Sequence, residues 1–123
     1  MSAGDLELAT RFLDALAGAA KSGDREALYA FLAPDVEWVT PQREVHGIDE
    51  ARDELSWIRP PDNLEIAFSD PQLTDLGDGR IVAEVHETYR MSGTGDLAYA
   101  RDRRLELTMR DGKIARYEMR VVG

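Results

Sequence analysis

The chain changes its hydrophobic period about halfway along. Residues 5–21 place Leu8, Phe12, Leu16 and Ala19 on one stripe, with Ala9, Leu13 and Ala20 beside it, which is helical spacing. Ser22-Gly23 ends that helix, and Asp24 is a good N-cap for a second, with Leu28, Phe31 and Leu32 as its buried edge and Pro34 as its stop. Val36 to Thr40 alternates as a strand, with Val36, Trp38 and Thr40 on one face, and residues 42–46 read as a loop. Gly47 to Ile58 predicts a third helix with Ile48, Ala51, Leu55 and Ile58 on its apolar stripe, and Trp57 near its end, before Pro60-Pro61 forbids continuation.

From Leu64 onward the period is two. Leu64, Ile66 and Phe68 alternate with polar neighbours, and Asp70-Pro71 predicts a bulge or kink before the run resumes at Gln72. Gly77-Asp78-Gly79 is a turn, Arg80–Met91 a long strand, residues 92–95 a loop, and Ala98–Arg110 another strand. Asp111-Gly112 is a tight hairpin signal into a last strand, Lys113–Val122. Helices followed by an antiparallel meander make an α+β fold, and 123 residues make residues 1–123 a single domain. A long twisted sheet over short helices is expected to curl and to leave a hollow on its concave face.

Composition narrows the chemistry. There is no cysteine, which excludes disulfides, thiol catalysis and thiolate metal sites, and two histidines without clustered acids give a metal site little support. The net charge of −9 argues against nucleic acid as the main partner, although residues 101–123 carry seven basic against four acidic side chains. No apolar run is long enough to span a membrane, and the first residues show no basic stretch leading into an apolar one, so a cytoplasmic protein is expected.

Strand parity then selects candidate residues. On 98–110 one face carries Tyr99, Arg101, Arg103, Leu105, Leu107 and Met109; on 80–91 the apolar face carries Ile81, Ala83, Val85, Glu87 and Tyr89; on the last strand Tyr117, Met119 and Val121 face inward. The hollow is therefore expected to be oily at depth and polar nearer its mouth. Glu87, Arg101 and Arg103 are the candidate catalytic group, with Glu87 as acid/base and the arginines as electrostatic stabilisers, unless Glu87 merely neutralises an arginine in an internal ion pair. Trp38, Tyr89, Tyr99, Leu105, Tyr117 and Met119 are the candidate ligand-binding walls. His46 is placed at the mouth or in solvent, and His86 faces outward beside Glu84 and Thr88.

The element order, Leu32-Ala33-Pro34-Asp35-Val36-Glu37-Trp38, the Gly47-Ile48-Asp49-Glu50-Ala51 helix start and Asp111-Gly112-Lys113-Ile114 together resemble the SnoaL-like branch of the nuclear transport factor 2-like superfamily. The resemblance implies a cystatin-like, cone-shaped barrel: three N-terminal helices packed in the concave face of a strongly curved, mostly antiparallel sheet, commonly paired as a homodimer through that sheet. It spans steroid isomerases, epoxide hydrolases, polyketide cyclases and dehydratases, so fold alone does not choose among them. The steroid isomerases' base, oxyanion-hole aspartate and helix-one tyrosine fall on Thr40, Leu105 and Leu16, which excludes that chemistry. The acidic phrase that ends many of the cyclases falls on Met119-Arg120-Val121-Val122, without its acids. The Asp-Arg-Asp set of the epoxide hydrolases finds only Asp102 between Arg101 and Arg103, and strand neighbours point to opposite faces.

The expected function is binding of a small, mostly hydrophobic molecule with a carboxylate or carbonyl end, with cofactor-free isomerisation, cyclisation, dehydration or hydrolysis as its enzymatic form. The competing expectation is a non-enzymatic homodimerisation or protein-association domain whose charged outer sheet face, Arg104-Glu106-Thr108 and Arg116-Glu118-Arg120, pairs with a second copy.

Overall fold

A computed structural model gives the fold and describes residues 2–22, 26–55 and 64–122. Its elements run α1 Ser2–Ser22, α2 Glu26–Tyr29, β1 Leu32–Val39, β2 Glu44–His46, α3 Ile48–Leu55, β3 Leu64–Gly77, β4 Arg80–Met91, β5 Leu97–Arg110 and β6 Lys113–Val122. The six strands form one sheet in the order β2-β1-β6-β5-β4-β3. All neighbours are antiparallel except β1 and β6, so the sheet is mixed.

The long-range pairing of β1 with β6 changes the local reading of residues 29–40. Leu32 pairs with Ile114, the Ile114 N–H donates to the Phe31 carbonyl at 2.8 Å, and the Lys113 ammonium donates to the Ala30 carbonyl at 2.6 Å. These bonds draw the chain into strand directly after Tyr29. The second helix is therefore one turn long, and Leu32 belongs to β1 instead of to a helix edge. Pro34 ends no helix; it lies within β1 where the register shifts between Leu32 and Glu37, an irregularity that tolerates a residue without an N–H.

Residues 44–46 are not a loop. Thr40 and Arg43 exchange backbone hydrogen bonds at 2.8 and 3.2 Å, and the turn returns the chain along β1, with Val45 opposite Trp38. Val45 is fully buried between exposed neighbours, a pattern too short to register as alternation. The third helix is described from Ile48 to Leu55; its expected end, with Trp57 and Ile58, lies outside the described residues, as does the Asp24 cap.

The meander follows the period-two pattern. The β3–β4 register shifts between Ser69 and Gln72, at the Asp70-Pro71 step. The β3–β4 turn uses left-handed Asp78 and Gly79 (φ 55° and 78°). A Cβ on Gly79 would lie 2.6 Å from the Met109 carbonyl oxygen, and the Gly79 carbonyl accepts the Met109 N–H at 2.7 Å, so this turn is tied to β5 at a distance only glycine allows. Asp111 and Gly112 (φ 54° and 74°) make the β5–β6 turn in the manner of a two-residue hairpin.

One face of the sheet, called inner here, meets α1. Ala9, Phe12, Leu13, Leu16 and Ala19 of the helix pack with Val36 and Trp38 of β1, Ile81 and Ala83 of β4, Leu105, Leu107 and Met109 of β5, and Ile114, Tyr117 and Met119 of β6. Trp38 and Tyr117 stack at 3.7 Å, and Phe12 meets both edge-on at 6.4 and 6.0 Å. This aromatic knot closes one half of the inner face. A second, small cluster of Ile66 and Tyr89, flanked by Leu64 and Phe68, lies toward the opposite strand ends.

Candidate functional site

Between the two apolar clusters the inner face turns polar. Cross-strand register puts Glu87 opposite Arg101, Val85 opposite Arg103 and Tyr89 opposite Tyr99, while β6 sets Val121 opposite Arg103 and Met119 opposite Leu105. Residues two apart on a strand share a face, so one glutamate meets two arginines from a single neighbouring strand.

Glu87 is 1% exposed and is the one buried charged residue among the described residues. Its Oε1 accepts from Arg101 Nε at 2.8 Å. Its Oε2 lies 3.0 Å from Arg103 Nε, near enough for an ion pair but off the N–H direction, so that buried N–H has no hydrogen-bond acceptor among the described residues. The Tyr89 hydroxyl accepts from Arg101 Nη2 at 3.0 Å and from Arg103 Nη2 at 3.5 Å. Burial, then a hydrogen bond to Glu87 and its negative charge, push the Tyr89 phenol well above its ordinary value, so it stays protonated. Burial opposes the Arg101 charge, but the Glu87 hydrogen bond and charge outweigh it and hold the guanidinium above its ordinary value.

Among the described residues the charge does not balance: two guanidiniums face one carboxylate and one neutral phenol, which leaves one positive charge over. The Arg103 side chain is 18% exposed and the Arg101 side chain 34%, so the cluster runs from buried carboxylate to partly open cation. Guanidinium donors at that end suit an incoming oxyanion, which arginine binds as a fork.

The structure thus brings together Glu87, Arg101, Arg103, Tyr89 and Tyr99. It sets Trp38, Leu105, Tyr117 and Met119 in the main core, with Met119 and Leu105 one register step from Arg103. Burial, then the charge of Glu87, push the Tyr117 phenol above its ordinary value. Val121, expected to face a hollow, is 47% exposed, because pairing with β1 extends only to Glu118 and the end of β6 is bordered by β5 alone.

The outer face holds a second arginine–glutamate network. Glu118 accepts from Arg120 at 2.6 and 2.8 Å and from Arg116 at 3.1 Å; Arg116 also binds Glu37, and Glu106 lies 3.8 Å from Arg120 and 4.0 Å from Arg104. Here three arginines meet three glutamates. The Arg120 and Arg116 hydrogen bonds hold the Glu118 carboxyl below its ordinary value. On the same face His86 Nδ1 lies 2.7 Å from Asp102 Oδ1, a pair that strand parity allows but register alone creates. A depression of about 160 Å³ opens near the β3–β4 turn among Leu76, Arg80, Val82, Glu106, Thr108 and Arg116; no residue predicted for the site lines it. His46 is largely exposed. No group of three potential metal ligands occurs among the described residues, and no described helix is long and apolar enough to cross a membrane.

Solved structures share this fold. An NTF2-like protein from Anabaena variabilis ATCC 29413 is 15% identical with a TM-score of 0.80, covering 100% of this chain and 92% of that one. A protein from Xanthomonas campestris pv. campestris, provisionally named a polyketide cyclase, is 25% identical with a TM-score of 0.69, covering 94% and 90%. One from Bacillus subtilis, provisionally named an isomerase, is 17% identical with a TM-score of 0.75, covering 96% and 88%. No curated protein matches the chain. The model of the SnoaL-like domain matches residues 9–117, nearly the whole length, and with the mixed sheet and its helices it makes this chain a member of the SnoaL-like domain family, within the NTF2-like superfamily.

Proposed function

We propose that this protein binds a small, mostly hydrophobic molecule by an anionic or carbonyl end, which docks on Arg101 and Arg103 at the mouth of a hollow in a curved sheet. The observation that carries the reading is the uncompensated charge: among the described residues Glu87 neutralises one of two guanidiniums, and a buried Arg103 N–H has no acceptor. Unpaired charge and unmet donors away from water are costly, and a ligand oxyanion relieves both. Leu105 and Met119 form the apolar floor beside Arg103, and Tyr89 and Tyr99 its wall. Trp38 and Tyr117 hold that floor in place.

The same groups support cofactor-free chemistry of the isomerase or cyclase kind for which two of the similar solved structures are provisionally named. The arginines would stabilise an enolate oxygen, and Glu87 would take or return a proton as the ion pairs re-form around the substrate.

The test is a thermal-shift screen of apolar carboxylates and ketones, run on the wild type and on Arg103→Leu. At 100 times its Kd a ligand adds about 2.7 kcal/mol to stability. Carboxylates are expected to raise the wild-type Tm and to lose that effect in the variant. Equal shifts in both proteins would contradict the reading.

A further inference from the structure

We infer that the Tyr89 hydroxyl is the positioning group of this site: it draws the Arg101 and Arg103 guanidiniums onto one oxygen, so that the two present a joint fork to an anion. The inference rests on the anion-binding reading above. Tyr89 stands opposite Tyr99, and Arg101 and Arg103 follow two and four positions further along β5. Both still reach the same atom, with Nη2 of Arg101 at 3.0 Å and Nη2 of Arg103 at 3.5 Å. Two cations so close repel each other, and a neutral oxygen that accepts from both offsets that repulsion.

The ring fixes where that oxygen stands. Tyr89 is 5% exposed. It packs with Ile66, opposite it on β3, and stacks with Tyr99, opposite it on β5, at 4.2 Å with the rings 16° apart. A ring gripped from both neighbouring strands has little freedom to turn. The hydroxyl itself is fully used. It accepts from the two arginines, and its proton goes to Glu87. It therefore has nothing left for a ligand and acts through the arginines. Glu87 meets the same two guanidiniums, at 2.8 Å from Arg101 Nε and 3.0 Å from Arg103 Nε. The two buried groups thus divide the work: Glu87 offsets the charge of the arginines, and Tyr89 sets their spacing.

Calorimetric titration with cyclohexanecarboxylate and cyclohexylmethanol, two probes of one shape, tests this on the wild type and on Tyr89→Phe. Phenylalanine keeps the ring and its packing and removes only the oxygen, with the Tm as the check on folding. The wild type is expected to bind the acid more tightly than the alcohol. In Tyr89→Phe the acid affinity is expected to fall about two- to twelve-fold, the range of one net hydrogen bond, with the alcohol affinity unchanged. An unchanged acid affinity, or a loss shared equally by both probes, overturns the inference and leaves the anion-binding reading standing if the wild type prefers the acid. A wild type without that preference overturns the reading and the inference together. A second measurement leaves Tyr89 intact. With carbon-13 at tyrosine Cζ the wild type gives four signals, assigned through Tyr29→Phe, Tyr99→Phe and Tyr117→Phe. The Tyr89 signal is expected to move with the acid and to stay with the alcohol; a signal that ignores the bound acid overturns the inference.

Discussion

Glu87 and Glu118 each sit between two arginines, on opposite faces of the same sheet. Glu118 is 19% exposed, and its arginines have further acids to turn to: Arg116 reaches Glu37 and Arg120 reaches Glu106. Glu87 is buried, and among the described residues its arginines have only Tyr89 besides. Among the described residues the outer cluster is closed in charge and its carboxylate is wetted; the inner one carries a cation in excess and its carboxylate is shielded from water. The same side chains therefore have different consequences. A solvated, balanced network contributes little to stability and invites no ligand. A shielded cluster with one cation in excess is held together by its single carboxylate and is short of one anion.

The sharpest way to break this contrast is to remove each carboxylate in turn. Glu87→Gln leaves two shielded guanidiniums without a counter-ion and is expected to cost about 3 kcal/mol in urea unfolding, the scale for unpairing a buried ion pair. Glu118→Gln is expected to cost under about 1 kcal/mol. Comparable losses would show that the two faces do not differ as described.

Alkaline titration comes next. Burial raises the phenols of Tyr89 and Tyr117 above the ordinary tyrosine value of about 10. Above that value the unfolded chain releases these protons while the folded one keeps them, so stability falls as pH rises. It should be level from neutrality to about pH 10 and decline beyond. Tyr117→Phe is expected to flatten the decline. A stability curve with the same slope in both proteins would contradict the assignment to Tyr117.

Removing an arginine separates binding from stability. Arg103→Leu leaves the neutral Glu87–Arg101 pair and is expected to change stability by only about 1 kcal/mol, the scale of one net hydrogen bond, while carboxylate binding drops at least tenfold. Arg120→Leu should leave binding unchanged. The smallest effect is that of salt. At 1 M the screening length is about 3 Å, which should weaken the outer network and leave the Glu87 pairs nearly untouched. The Glu118→Gln deficit is therefore expected to shrink with added salt and the Glu87→Gln deficit to persist.

Much of this site is legible in the chain because a strand has only two faces. Once 80–91 and 98–110 are read as strands, parity alone puts Glu87 with Tyr89 and Arg101 with Arg103, among apolar neighbours. Parity does not give register. That Glu87 lies opposite Arg101, and that His86 meets Asp102, depends on the β4–β5 connection, where the Met91 carbonyl accepts from Gly95 and the Met91 N–H donates to Asp96. Non-local pairing was the other hidden quantity. The β1–β6 contact joins residues some 80 positions apart, shortens α2, starts β1 at Leu32 and leaves the end of β6 bordered on one side only. Val45 shows the same limit on a small scale: one apolar residue between two polar ones becomes a core position only because a turn folds it onto Trp38.

The central claim is that the inner arginines, and not the outer ones, await an anion. Nitrogen-15 spectra of the arginine Nε–H groups read this directly while an apolar carboxylate such as cyclohexanecarboxylate is added to the wild type. The Arg101 and Arg103 signals should move together and saturate, with Arg116 and Arg120 still. Movement at Arg116 and Arg120 with Arg101 and Arg103 unchanged would contradict the account.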